Sequence, residues 1–136
     1  MATVQKRPAR TRPPVGYVPP GWPLQVRPPG VEDWERTASA FLLDCCPADY
    51  RAYPVLRRHP AVLARFAAAH VEAQVSATTD GLGGLRRSLE DHVPPEVVQA
   101  AVEAWEEQSA RLQRIRREVA LVEEALRGRV FVQRLT

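Results

Sequence analysis

The sequence predicts an all-α protein built around a long antiparallel helical hairpin, and three observations carry that reading. Val98, Ala101, Trp105, Gln108, Leu112, Ile115, Val119, Val122 and Leu126 recur at alternating spacings of three and four, which puts all nine on one seam of a helix. A second apolar series runs from Pro60 to Val93. Pro94 and Pro95 stand between the two and make a tight corner. The predicted hairpin occupies about 60–93 and 95–127, with a shorter packed helix at about 32–46 and an extended proline-rich N-terminal arm.

The arm is set apart by composition. Residues 1–30 hold eight of the 13 prolines, and five basic side chains (Lys6, Arg7, Arg10, Arg12 and Arg27) without one acid, a charge of +5. The remaining 14 basic and 16 acidic residues give −2, so the basic balance belongs to the arm and the folded part is slightly acidic. Closely spaced prolines favour polyproline II and turns. The first dozen residues read as disordered, while Tyr17 and Trp22 predict that the stretch from about Val15 to Gly30 docks, either on the chain's own body or on a foreign partner. At 136 residues, 45% hydrophobic and 26% charged, the rest (31–136) is one globular helical domain with a short apolar tail from 129.

The first helix, Glu32 to Cys46, places Trp34, Ala38, Phe41, Leu42 and Cys45 on one face and acids in its first turn; Pro47 ends it. A connector follows, with one helical turn expected through Asp49 to Tyr53 and with Tyr50, Tyr53, Val55 and Leu56 packed under the domain. Pro60 suits the first position of the second helix, where Leu63, Phe66, His70, Ala73 and Ala77 form the expected seam. Gly81, Gly83 and Gly84 then each cost about 1 kcal/mol relative to alanine, so the helix either breaks between Thr78 and Gly84 or continues to His92. The third helix favours continuity. If it folds back antiparallel, facing residues have numbers summing to about 187, which sets Leu63 against Leu126, Phe66 against Val122, Leu85 against Val102, and Trp105 over the glycines. Gly128 is the natural stop. The first helix is too short to reach the corner, so Leu85, Leu89, Val98 and Trp105 need another cover: the arm, a second copy or a partner.

Chemistry is sparse. Adjacent Cys45 and Cys46 suit a disulfide poorly and read as reduced thiols. Together with Asp49 and His59 they match no zinc spacing, and His59 reads as a cap of the helix starting at Pro60. The acids between Glu103 and Glu124 lack the Glu-x-x-His pairing of a dimetal bundle and read as solvated charge, with Glu107–Arg111 and Glu123–Arg127 at ion-pair spacing. Asp80 to Gly84 lacks the Lys-Ser/Thr and the strand of a phosphate loop. No catalytic, cofactor or metal residue is therefore expected. No apolar run approaches a membrane span and no signal core is present, so a soluble cytoplasmic protein is expected.

With 18 Arg against one Lys, and phrases such as Pro19-Pro20-Gly21-Trp22-Pro23, Arg57-Arg58-His59-Pro60 and Leu121-Val122-Glu123-Glu124-Ala125-Leu126-Arg127-Gly128, the chain resembles small uncharacterised proteins of high-GC actinobacteria. The resemblance implies a bacterial cytosol and carries no activity. The expected role is a non-catalytic protein–protein interaction or scaffolding module, self-association included, with Tyr17, Trp22, Leu85, Leu89 and Trp105 as contact residues. The alternative is an accessory protein that binds nucleic-acid phosphates through the basic arm and the arginines from Arg111 to Arg117.

Overall fold

A computed structural model describes residues 16–134. They form four α-helices and one 3₁₀ helix: α1 (Trp34–Asp44), the 3₁₀ helix (Ala48–Ala52), α2 (Pro54–Arg58), α3 (Pro60–Leu89) and α4 (Pro95–Leu126). The long pair α3 and α4 is the predicted antiparallel hairpin, and α1 packs across its open half. The first dozen residues, for which disorder was expected, lie outside the described residues.

Each boundary has a local cause. Helix α1 starts two residues later than expected because Asp33 takes a left-handed conformation (φ 66°), and turns closed by Val31 and Trp34 occupy the space of a first helical turn. Within the connector, Pro54 opens α2 at its first position, where a missing amide hydrogen is harmless. Leu56 is thereby fully buried. Tyr50 is half-buried, edge-on to Phe66 and His70, whereas Tyr53 and Val55 are exposed rather than packed underneath. His59 precedes α3 but its side chain makes no capping bond; its carbonyl accepts from Val62 and Leu63 instead. At the far end α4 closes as expected: Gly128 is left-handed (φ 100°), its amide donates to the Ala125 carbonyl, and the Arg129 amide donates to that of Glu124. That double closure satisfies carbonyls the helix end leaves free.

Helix α3 runs unbroken through its glycines. The reason is Trp105: its indole lies where a Gly81 side chain would be, 2.7 Å from the position of a Cβ, and its Nε1 donates to the Thr78 carbonyl at 2.7 Å. The register agrees with the antiparallel arithmetic, since Arg65–Glu123, Glu72–Arg116, Gly81–Trp105 and Arg86–Gln99 are all within two of the expected sum. The buried face of α3 differs from the expected seam. Leu63, Ala64, Ala67, Val71 and Val75 are buried, while Phe66 is 43% exposed and Ala73 and Ala77 face solvent. At its open half α3 must meet both α4 and α1, and alanine at 64 and 67 lets those helices approach where Phe66 would hold them off.

The second half of the arm docks on its own body. Trp22 is 8% exposed, its Nε1 donates to the Val26 carbonyl at 2.9 Å, and its ring meets Phe131 of the tail edge-on at 5.9 Å. Pro23 and Val26 are buried beside it. The amide of Arg27 donates to the Thr37 hydroxyl, which itself donates to the Trp34 carbonyl, so one threonine joins arm and α1. No helix of the described residues is long and apolar enough to cross a membrane.

Candidate functional site

The main core ends part-way along the hairpin. Ala38, Phe41 and Leu42 of α1, Leu63 to Val75 of α3, Leu112 to Ala125 of α4, and Trp22, Val26 and Phe131 form one buried cluster, whose members nearest the corner are Val75 and Leu112. Beyond them the hairpin continues as two helices without a third. Val98 and Val102 are buried between the two, whereas Leu82, Leu85, Leu89, Ala101 and Trp105 are only half-buried and Val97 is 45% exposed. Neither the described part of the arm, residues 16–30, nor the described tail covers this distal half, because both lie at the open end.

The residues singled out from sequence therefore fall into two separate groups. Leu85, Leu89 and Trp105 share the distal half. Tyr17 and Trp22 sit at the other end, where Trp22 spends its indole on Phe131 and Val26 and Tyr17 is half-buried against the core. Along α4, the 21 steps from Trp105 to Leu126 measure about 32 Å.

Electrostatics divides the molecule along the same line. Residues 76–110 contain Asp80, Glu90, Asp91, Glu96, Glu103, Glu106 and Glu107 against Arg86 and Arg87, a charge of −5, and all nine side chains are exposed. Residues 111–134 carry seven arginines against Glu118, Glu123 and Glu124, a charge of +4. Several of these arginines and acids pair: Glu123, nearly buried, accepts from Arg65 at 3.2 Å and Arg127 at 3.1 Å, and Arg129 holds Glu124. The expected Glu107–Arg111 pair is not formed among the described residues, so Glu107 adds its full charge to the distal half. This division was readable in the order of the acids, but counting the folded part as a whole hides it behind a balance of −2.

A second feature is an open groove of about 630 Å³ between α1, α3 and α4, floored by Phe41, Val71, Leu112 and Ile115 and rimmed by Asp44, His70, Arg111 and Glu118. Leu24, fully exposed, stands at its mouth. Cys45 and Cys46 line it as free thiols. Burial pushes Cys45 up to about 12, helped by neighbouring Cys46, Glu118 and Asp44, and pushes Cys46 up to about 11 against the pull of Arg51. Such thiols hold almost no thiolate at neutral pH and are poor nucleophiles and metal ligands. Among the described residues no three of His, Cys, Asp and Glu are grouped to hold a metal ion.

No family model matches this chain, and neither a curated protein nor a solved structure does so.

Proposed function

We propose that this protein is a non-catalytic helical interaction module of the cytoplasm, whose docking surface is the distal half of the α3–α4 hairpin. The observation that carries the reading is the two-helix extension itself: a seam that α1 covers at one end is left with half-exposed Leu85, Leu89 and Trp105 at the other. Large aromatics on an uncovered apolar face are the residues from which binding energy is drawn. Indole and leucine at the floor, with exposed acids around them, match an amphipathic partner segment with basic flanks. Tip-to-tip pairing of two copies is opposed by a charge of −5 on each.

The test is anisotropy titration with two helical peptides of identical apolar face, one flanked by lysines and the other by glutamates. The basic peptide is expected to bind at low ionic strength, the acidic one not, and Trp105→Ala is expected to weaken binding about tenfold, near 1.4 kcal/mol. Val97→Glu, at an exposed position, gives the same answer if loss of the indole disturbs the fold. Equal affinity for both peptides, or binding indifferent to both substitutions, overturns the reading.

A further inference from the structure

We infer that the segment seated on the distal half of the hairpin is the chain's own basic arm, residues 1–15. This deepens the reading of the distal half as a docking surface and rests on it. Lys6, Arg7, Arg10 and Arg12 give that segment a charge of +4 with no acid. It leaves the described body at Gly16, beside the tail, because Tyr17, Pro19 and Pro20 line one depression together with Arg129 to Arg134. The body around that exit offers the segment no net attraction, since residues 111–134 are themselves at +4. The largest net negative charge among the described residues is on the distal half, at −5 with its acids exposed; the smaller exposed group Glu32, Asp33 and Glu35 at the start of α1 is offset by Arg27 and Arg36, which is 3.6 Å from Asp33.

Reach and chemistry agree with this assignment. Lys6 is ten residues before Gly16, about 31 Å at the 3.1 Å per residue of polyproline II. Trp105 lies about 32 Å along α4 from Leu126, the end of the helix nearest the tail. An extended span of that length is enough to bring the basic residues at 6 and 7 to Glu103, Glu106, Glu107 and the half-exposed indole of Trp105. Arginine stacks on indole faces, and proline-rich segments settle on tryptophan at little entropic cost. Tethering also gives the arm a local concentration in the millimolar range, well above what a second copy supplies in dilute solution. An external partner of the same chemistry must displace the arm to bind.

Lys6 is the chain's single lysine, which makes a decisive experiment available on the full-length protein. A zero-length carbodiimide joins an amine only to a carboxylate in contact with it, and peptide mapping by mass spectrometry identifies the partner. The expected product is an intramolecular link from Lys6 to an acid within 80–107, foremost Glu103, Glu106 or Glu107, with a yield that falls roughly fivefold in half-molar salt. In parallel, amide exchange over Leu82–Leu89 and Val97–Trp105 is expected to quicken several-fold in the full-length triple variant Glu103→Gln/Glu106→Gln/Glu107→Gln. Links to any acid outside 80–107, such as Glu32, Asp33, Glu35, Asp44 or Glu72, or no link at all, overturn the arm as occupant while leaving the peptide titration above to judge the surface. Links found only between molecules assign the site to the arm of a second copy and overturn docking within one chain.

Discussion

Three glycines within four residues of one helix separate two roles that composition alone cannot. At Gly81 a methyl group would meet the Trp105 indole at 2.7 Å, and that ring is held by its bond to the Thr78 carbonyl. At Gly83 and Gly84 a methyl group meets nothing within 4 Å. Gly84→Ala is therefore expected to stabilise the protein by about 0.5–1 kcal/mol through helix propensity alone. Gly81→Ala is expected to destabilise it by about 1–3 kcal/mol despite the same propensity gain, because the ring must shift and its bond lengthen. Urea unfolding of the two variants checks the opposite signs. The cysteines give a second prediction at this scale. Both thiols are raised from an ordinary value of 9.0, Cys45 to about 12 and Cys46 to about 11, so the folded state keeps protons that the unfolded chain loses. Their contribution to stability is whole below pH 9 and fades as pH rises from 9 towards 12. In Cys45→Ala/Cys46→Ala the slope of stability against pH over that window is expected to flatten, and in the native protein a disulfide reagent at pH 8 is expected to react far more slowly than with the unfolded chain.

At the scale of elements, α4 is legible almost whole, because one strong heptad seam runs along it and because a glycine stop ends it. Of its nine seam residues only Gln108 is exposed, the one polar member. Helix α3 is legible in register and, to within four residues at its end, in extent, but not in face. Its pattern had to satisfy α4 along its length and α1 over part of it, and residue spacing does not show that Ala64 and Ala67 sit where three helices meet. The left-handed Asp33 and the short helix α2 were likewise hidden, since both depend on which way the chain turns rather than on any periodicity. The C-terminal stop of α4 is open to a direct test. Gly128 has φ 100° and a side chain there would meet nothing, so any cost of Gly128→Ala is backbone strain alone. Stability is expected to fall by about 1 kcal/mol, with faster amide exchange in the last turn of α4 and at Arg129, whose amide bonds to Glu124.

For the whole molecule the decisive division is between the two halves of the proline-rich arm, which sequence composition treats as one. Residues 16–30 are part of the fold: Trp22, Pro23 and Val26 are buried, and Trp22 closes over Phe131 of the tail. Whether that stretch served the chain's own body or a partner was open from the sequence, because the contacts that decide it lie more than a hundred residues apart between Trp22 and Phe131. Its removal has a calculable scale. Losing a buried tryptophan costs about 3–5 kcal/mol and a buried valine about 1.5–3. The sum is comparable to the total stability of a domain of this size, about 5–15 kcal/mol. A chain starting at Val31 is thus expected to unfold at much lower urea, and to associate through the newly exposed Phe131, Leu121 and the face of α1 towards the arm. A chain starting at Gly16 keeps every described contact, and in half-molar salt its midpoint is expected to equal that of the full-length protein. Light scattering and urea titration of the three chains, read together, separate the fold from the surface: a monomeric, fully stable chain from Val31 would mean that residues 16–30 contribute no core, whatever the arm before them does.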